Sequence, residues 1–254
     1  MTRILVTNDD GVFSEGLKLL VEALEPLGEV TVVAPDREQS AMGHALTLHR
    51  PLRLRQLDER VYSVDGTPTD CVNLGVLWLL KDTPPDLVVS GINFGLNLGD
   101  DVTYSGTVSA TFEGTLMGIP SLAFSQEVGK SFSFDRGARF AAHLVSVLLG
   151  HKLPDDLLLN VNFPAGDHKG VRLTRLGRRR YQQSVVQKRD PHGREYFWIA
   201  GTPVWESSEG ADQDAILDGY ISITPLHLDL TDYRGLESYG WIQEQLGEPD
   251  EGGT

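Results

Sequence analysis

A short apolar run near the N-terminus ends abruptly in polar residues. Ile4, Leu5 and Val6 are followed by Thr7 and then by the turn-forming run 8–11, which reads Asn-Asp-Asp-Gly. Aliphatic residues closed by turn formers predict a strand buried on both faces, as in a parallel sheet. Open α/β sheets bind ligands beyond the carboxyl ends of their strands. The carboxylates that follow this strand therefore stand where such a fold places its chemistry.

The following segments complete a β-α-β unit. Apolar residues recur at helical spacing from Leu17 to Leu24, and a second aliphatic strand runs over residues 30–34. Such a unit requires parallel strands joined by a right-handed crossover. Further strands and helices alternate up to residue 176, with antiparallel or edge strands expected between residues 46 and 65. The pattern predicts an α/β fold with a mostly parallel sheet.

The character of the chain changes after residue 176. Residues 181–188 and 194–199 flank an Asp-Pro-His-Gly turn and predict a protruding β-hairpin. A strand at residues 220–224 is expected to return to the core, and residues 247–254 are expected to be disordered. We therefore divide the chain into a Rossmann-like α/β domain, residues 1–176, and a β-rich C-terminal segment, residues 177–254.

Composition excludes some classes of function. The formal net charge is -14, which argues against a stable nucleic-acid partner or an anionic membrane surface, because both reward a basic face. No run approaches the ~18 apolar residues of a membrane span, and the chain starts directly into a strand, so we expect a cytoplasmic protein. The single cysteine, Cys71, excludes an intrachain disulfide or a Cys-based zinc site and is expected to be buried.

Three predicted loops bring oxygen donors to one edge of the sheet. They carry the carboxylates of Asp9 and Asp10, the hydroxyl of Ser40 and the amide of Asn93, within a Gly- and Asn-rich loop at residues 91–101. Adjacent carboxylates repel unless a cation neutralises them, and this donor set suits one hexacoordinate Mg²⁺ or Mn²⁺ ion. The alternative is that Asp-Asp-Gly is only a turn with a helix cap. The histidines are scattered without a zinc-type pair.

A further helix begins at Ser105-Gly106-Thr107. Backbone N–H groups at a helix start, together with the helix dipole, can bind an anion. A metal site beside an anion site suggests phosphate chemistry. Ordinary helix capping by Ser105 and Thr107 is the alternative, and it needs no ligand.

Several motifs, taken together, resemble one known family. They are Thr7-Asn8-Asp9-Asp10-Gly11, Ala34-Pro35-Asp36-Arg37, Gly66-Thr67-Pro68-Thr69-Asp70-Cys71, the run at residues 90–107 and the run at residues 219–226. The set, which covers nearly the whole chain, resembles the stationary-phase survival protein E (SurE) nucleotidases. The resemblance implies a Rossmann-like three-layer αβα fold with a C-terminal β-hairpin extension, and divalent-metal-dependent hydrolysis of nucleoside monophosphates. Polyphosphate is a candidate further substrate, which the sequence does not rank against monophosphates.

The resemblance also implies residue roles. The metal ligands of the family correspond to Asp9, Asp10, Ser40 and Asn93, and its phosphate-contacting positions correspond to Asn97, Ser105, Gly106 and Thr107. The family forms homodimers or homotetramers with an exchanged C-terminal segment, and we expect the same of this chain.

The chemical mechanism has alternatives at this stage. The leading hypothesis is a phosphomonoesterase in which a metal polarises the phosphoryl group and orients water. Asp9 or Asp10 as a general base is a second possibility, although a metal-bound carboxylate is a poor base. An aspartyl-phosphate intermediate is a third, but Val12 stands where such enzymes place a second Asp. A noncatalytic metal- and nucleotide-binding module is the alternative from another class.

Two features of the C-terminal segment have competing interpretations. Five aromatic residues fall in or beside the predicted hairpin: Tyr181, Tyr196, Phe197, Trp198 and Trp205. An isolated two-stranded arm cannot bury them, so they predict either a contact with another subunit or a hairpin folded back onto its own domain. The run 178–180, three arginines, is either a solvated turn or a patch that attracts polyanionic substrates.

Overall fold

The computed structural model describes residues 1–129 and 132–246, and it describes their side chains except for those of residues 179–184 and 200–205. The strands within this part of the chain are β1 (Arg3–Thr7), β2 (Glu29–Pro35), β3 (Leu54–Asp58), β4 (Val61–Val64), β5 (Leu87–Phe94), β6 (Ser121–Gln126), β7 (Leu158–Phe163), β8 (Val171–Leu173), β9 (Arg178–Arg189), β10 (Glu195–Glu206) and β11 (Ile221–Pro225).

The helices lie mostly between these strands. They are α1 (Glu15–Leu24), α2 (Pro68–Leu74), α3 (Gly106–Leu116), α4 (Asp135–Leu149), α5 (Asp212–Leu217), α6 (Tyr233–Ser238) and α7 (Gly240–Leu246). Short 3₁₀ turns follow α1 at Glu25–Leu27 and precede α3 at Gly99–Thr103, and a π-helical turn continues α2 at Gly75–Leu79. No described helix has both the length and the apolar character needed to cross a membrane.

The main sheet has nine strands in the order β3-β4-β2-β1-β5-β6-β7-β11-β8. Pairing is parallel from β4 through β2, β1, β5 and β6 to β7, and antiparallel at β3/β4 and β7/β11. The prediction of a mostly parallel α/β sheet is confirmed. Because the chain builds outward from β1 in both directions, β1 and β5 flank the point where strand order reverses, which is where such sheets bind ligands.

Two apolar clusters cover the two faces of the sheet. Ile4 and Val6 pack in one cluster with residues of α1 and α4, whereas Leu5 packs in the other with residues of α2 and α3. Successive residues of a strand point to opposite faces, so three aliphatic residues in a row require helices on both sides. This arrangement confirms the three-layer αβα architecture. Cys71 is fully buried in the second cluster, as expected, and burial raises the pKa of its thiol well above the usual range.

Some sequence predictions were wrong in detail. Residues 46–48 form no strand, because their loop is held by side-chain hydrogen bonds instead of a ladder. β5 continues to Phe94 through what was expected to be loop, with a register shift against β6 after Ser90. A Cβ at Gly91 would lie 2.4 Å from the carbonyl oxygen of Phe124, so glycine is required for this close approach of the two strands.

The C-terminal segment contains both of the predicted β features. β9 and β10 pair as an antiparallel two-stranded sheet that is longer than expected, and β11 lies in the main sheet between β7 and β8. Helices α5, α6 and α7 were not predicted. The tail at residues 247–254 lies outside the described residues, and the domain boundary after residue 176 stays a prediction.

Candidate metal and phosphate site

Asp9 follows β1 and is held by the start of α3. Asp9 is only 5% exposed to solvent. The hydroxyl of Thr107 donates a hydrogen bond to Asp9 Oδ1, and the backbone N–H of Thr107 adds another. A Cβ at position 106 would lie 2.8 Å from Asp9 Cβ, so Gly106 is what allows α3 to approach β1 this closely. Helix and strand thus fix one carboxylate at the carboxyl edge of the sheet.

Asp10 is held by the neighbouring strand. Its Oδ2 accepts a hydrogen bond of 3.1 Å from the backbone N–H of Phe94, at the end of β5. Residues 8–11 are held in their turn by Asn8, whose side-chain amide donates to the carbonyl of Gly11 at 3.0 Å and to the hydroxyl of Ser14 at 2.7 Å. The two adjacent carboxylates are therefore positioned by different elements.

Burial and neighbouring charges disfavour the ionised forms of both carboxylates. Burial raises the pKa of Asp9 to about 6, against the lowering effect of its hydrogen bond from Thr107, and the charge of Asp10 adds to the increase. Burial also raises the pKa of Asp10, where the hydrogen bond from Phe94 opposes the change and the charge of Glu38 adds to it. A divalent cation would relieve this repulsion.

Ser40 reaches the site on the loop after β2. The backbone N–H of Gln39 donates to the carbonyl of Asp9 at 2.8 Å, which joins this loop to the end of β1. Ser40 itself is exposed, and its hydroxyl donates to Glu38 Oε1 at 2.7 Å. Because the proton of the hydroxyl is directed to Glu38, the oxygen lone pairs of Ser40 are available to a cation.

Asn93 contributes an amide oxygen from the end of β5. Its Nδ2 donates to the carbonyl of Gly95 at 3.0 Å, so the Oδ1 atom is the end of the amide left for a ligand. The register shift between β5 and β6 pairs Asn93 with Ser125 and places it one residue before Phe94, the residue that holds Asp10. The bulged end of β5 therefore contributes both the side chain of Asn93 and the backbone N–H of Phe94 to the site.

These side chains surround one cavity of about 670 Å³. Its described lining consists of Asp9, Asp10, Glu38, Ser40, Ala41, Asn93, Phe94, Leu96, Asn97, Asp101, Tyr104, Ser105 and Ile199. Four of these residues are carboxylates, and none of the described lining residues is Lys, Arg or His. An anionic phosphate ester would be repelled from such a cavity unless a cation were bound first.

The predicted phosphate-contacting residues divide into two groups. Asn97 and Ser105 line the cavity, whereas Gly106 and Thr107 lie buried behind Asp9. The Ser105 hydroxyl caps α3 by accepting from Val108 N at 3.1 Å, and the backbone N–H of Ser105 donates to the carbonyl of Asp101 at 3.1 Å. Of the backbone N–H groups of Ser105, Gly106 and Thr107, that of Ser105 donates to Asp101 and that of Thr107 donates to Asp9. Two of these three groups at the helix start therefore have protein partners.

Asparagines of β7, which sequence reasoning missed, fix Asn97. The carbonyl of Asn97 accepts from the side-chain amides of Asn160 at 2.8 Å and Asn162 at 3.0 Å, and its backbone N–H donates to Asn162 Oδ1 at 2.8 Å. The Asn97 side chain donates to Ser125 Oγ at 2.8 Å. Two asparagines at alternate positions of an otherwise apolar strand were the sequence signal for this role.

Asp212 was also missed. This fully buried carboxylate on α5 accepts hydrogen bonds from three backbone N–H groups, those of Gly99, Gly177 and Gln213, at 2.8 to 2.9 Å. Burial raises the pKa of Asp212, and these hydrogen bonds oppose the change. Asp212 therefore joins the C-terminal segment to the loop that carries Asn97.

The chemistry of the donors fits a hard cation. In the part of the chain that the structure describes, no group of three or more His, Cys, Asp or Glu residues is arranged to hold a metal ion. A cation between Asp9 and Asp10 would accordingly complete its coordination with neutral oxygens, and the Ser40 hydroxyl and Asn93 Oδ1 are at the same cavity.

Comparison with known proteins identifies the family. The family model described as survival protein SurE matches residues 4–183, which is well over half of the chain. This chain belongs to the SurE family. A SurE relative in Myxococcus xanthus, named 5'-nucleotidase SurE, is 54% identical over 98% of this chain and 97% of its own length.

A solved structure extends this SurE assignment to three dimensions. The crystal structure of the SurE protein from Aquifex aeolicus matches with a TM-score of 0.85 and 47% sequence identity, covering 95% of this chain and 99% of that chain. The Aquifex aeolicus relative is also named 5'-nucleotidase SurE. The SurE match spans the three-layer domain and the C-terminal segment alike.

Proposed function

We propose that this protein is a divalent-metal-dependent 5'-nucleotidase that hydrolyses nucleoside monophosphates to nucleoside and phosphate. The observation that carries the proposal is the acidic cavity at the strand-order reversal, whose described lining offers carboxylate, hydroxyl and amide oxygens but no basic side chain. The names of the relatives in Myxococcus xanthus and Aquifex aeolicus support the same activity.

We assign the metal ligands as Asp9, Asp10, Ser40 and Asn93. The free Oδ1 of Asn93, the outward lone pairs of Ser40 and the mutual repulsion of the carboxylates support one Mg²⁺ or Mn²⁺ ion held by these residues. When bound, such an ion supplies Lewis-acid neutralisation of the phosphoryl charge and makes water a better nucleophile. The choice between the two metals is open to experiment.

We assign the phosphate site to Asn97, Ser105, Gly106 and Thr107, with the first two as contacts and the last two as supports. Asn97 and Ser105 face the cavity, and the positive end of the dipole of α3 lies directly behind them. Thr107 contributes by donating a hydrogen bond to Asp9. Gly106 contributes by allowing α3 to approach β1 closely. Asn97 and Ser105 orient the substrate relative to the carboxylates. Holding the reacting groups in the right geometry lowers the barrier to the reaction.

The deciding experiment measures phosphate release from AMP and other phosphomonoesters, each with Mg²⁺, Mn²⁺, Ca²⁺ or Zn²⁺. Asp10→Asn should nearly abolish hydrolysis, because it removes one of the two charges of the Asp9–Asp10 pair while preserving shape. Asp82→Asn, an exposed substitution away from the site, is the matched control and should leave turnover unchanged.

Other results would favour other functions. Wild-type turnover by Asp10→Asn at saturating Mn²⁺ would contradict the metal assignment. Activity that survives exhaustive treatment with EDTA would indicate a metal-free covalent route through an aspartyl phosphate. Binding of Mn²⁺ and AMP without phosphate release would indicate a noncatalytic module. Hydrolysis of polyphosphate, assembly into a homodimer or homotetramer and a cytoplasmic location stay predictions.

A further inference from the structure

The loop that carries Ser40 has no strand or helix of its own, unlike the segments that carry the other proposed ligands. Asp9, Asp10 and Asn93 lie at the ends of β1 and β5, whereas Ser40 lies in residues 36–53, which form neither helix nor strand. Ser40 is exposed. The next residue, Ala41, has a φ of 58°, a backbone conformation that residues other than glycine rarely adopt. The position of the Ser40 hydroxyl therefore depends on what anchors this loop.

Backbone and side-chain contacts anchor the loop on both sides of Ser40, and on the near side the Gln39 N–H donates to the carbonyl of Asp9 at 2.8 Å. The N–H of Gly43 donates to the carbonyl of Tyr104 at 3.1 Å, beside the start of α3. Further along, the Thr67 hydroxyl donates to the carbonyl of Ala45 at 2.7 Å, and the N–H of Thr47 donates to Asp70 Oδ1 at 2.9 Å. These contacts attach the middle of the segment to the start of α2.

His44 makes the side-chain contact between this loop and α3. Its Nε2 lies 2.8 Å from Oε2 of Glu113, and its ring contacts the edge of the Phe112 ring at a centroid distance of 5.9 Å. The other carboxylate oxygen of Glu113 accepts from Asn73 Nδ2, on α2, at 2.9 Å. The Glu113 side chain, which projects from α3, is thus held by α2 and presents a fixed acceptor to His44.

The electrostatics agree with this arrangement. The side chain of Glu113 is only 16% exposed, and its hydrogen bond with His44 is the largest of the effects that lower the pKa of this carboxyl. A largely buried carboxylate needs its hydrogen-bond donors, because losing one leaves a charge without compensation. His44 satisfies Glu113 and, in return, is held in one place.

We propose that His44 is a positioning residue for the metal site. Through Glu113 it holds the Ser40 loop against α3, and this contact places the Ser40 hydroxyl beside Asp9, Asp10 and Asn93. The inference rests on the proposed role of Ser40 as a metal ligand. It adds a residue that touches neither substrate nor metal but sets the geometry of one ligand, as outer residues around metal sites commonly do.

The test measures Mn²⁺ affinity by calorimetry on the full chain. His44→Ala should weaken Mn²⁺ binding by about tenfold, the lower end of the usual cost of losing such a supporting residue. His44→Gln, whose amide can still donate to Glu113, should recover part of the affinity. Glu113→Ala should resemble His44→Ala, and the two together should cost no more than either alone, since they break one contact.

The decisive comparison uses a Ser40→Ala background. If His44 acts through Ser40, then Ser40→Ala with His44→Ala should bind Mn²⁺ no more weakly than Ser40→Ala alone. A merely structural role would weaken binding by the same factor in both backgrounds, and that result would overturn the proposal. Unchanged affinity in His44→Ala would do so as well.

Hydrogen exchange and a control variant complete the design. The Gly43 amide of the metal-free protein should exchange faster in His44→Ala than in the wild type. Arg60→Ala removes an exposed ion pair with Glu29 on the β3–β4 side of the sheet, and should change neither exchange at Gly43 nor Mn²⁺ affinity. If Ser40→Ala leaves affinity unchanged while Asp10→Asn abolishes it, the positioning role is overturned but the metal-dependent function stands.

Discussion

At the centre of the site, the Thr107 hydroxyl partly offsets the cost of burying the Asp9 carboxylate. Asp9 is buried beside another acid, and the described side chain that donates to it is that of Thr107. Hydrogen bonds to charged groups contribute about 1.5 to 3 kcal/mol, more than those between neutral groups. Thr107 therefore stabilises the Asp9 carboxylate through the hydrogen bond of its hydroxyl.

Thr107→Val removes that hydroxyl and keeps the shape of the side chain. We expect Mn²⁺ affinity and kcat to fall by roughly tenfold to a hundredfold, the factor that corresponds to losing one hydrogen bond to a charge. Thr111→Val is the matched control, because this buried hydroxyl donates to the carbonyl of Val108 in the same helix. Wild-type Mn²⁺ affinity in Thr107→Val would show that Asp9 is positioned by other contacts.

At the scale of elements, the opposite end of β1 is joined to β5 by an ion pair. Arg3 Nη2 lies 3.0 Å from Asp86 Oδ1, and the backbone N–H of Arg3 donates to Asp86 Oδ2 at 2.8 Å. The hydrogen bond from the Arg3 side chain is the largest of the causes that lower the pKa of Asp86. The pair is partly exposed, so solvent screening keeps its contribution small.

Because the pKa of Asp86 is lowered in the folded protein, this residue makes stability depend on pH. A carboxyl whose folded pKa is depressed stabilises the fold above its unfolded pKa, near 4, and this stabilisation is lost as pH falls through the folded pKa. Asp86→Asn should therefore lower the urea midpoint at pH 7, and its difference from the wild type should shrink as pH falls below about 4. Asp82→Asn should show no such difference, and a pH-independent effect of Asp86→Asn would exclude the ion pair as its cause.

At the scale of the whole molecule, the β9–β10 hairpin is paired apart from the main sheet. Of its five aromatic residues, Tyr196, Phe197 and Trp198 are 38%, 59% and 61% exposed, and the side chains of the other two lie outside the described part of the chain. Ile199, which is 94% exposed, also lines the acidic cavity. Exposed aromatic patches of this kind mark contact surfaces.

We therefore expect a homodimer at least, closed by contacts of this hairpin with another subunit. Deleting residues 181–200 should yield monomers or insoluble protein. Phe197→Ser with Trp198→Ser is a milder variant that keeps the hairpin backbone and should shift sedimentation towards the monomer. A full-length chain that sediments as a monomer at micromolar concentration would refute the assembly.

Local patterns determined much of this protein before its fold was known. Three aliphatic residues in a row implied a strand covered on both faces, and the polar residues after it marked the edge that carries the acidic cavity. Helical spacing located α1, and the Ser-Gly-Thr run located the start of α3. These inferences succeeded because each depends on side-chain periodicity or on backbone capping within a few residues.

Contacts between distant residues were decided by the tertiary structure. The N–H of Gly99 meets Asp212 across 113 positions of sequence, and Asn97 meets Asn160 across 63. The bulge of β5, which aims Asn93, depends on Gly91 lying against the backbone of Phe124 in the neighbouring strand. Side-chain chemistry within one segment does not specify which distant segment satisfies it, because that choice follows from the packing of the whole sheet.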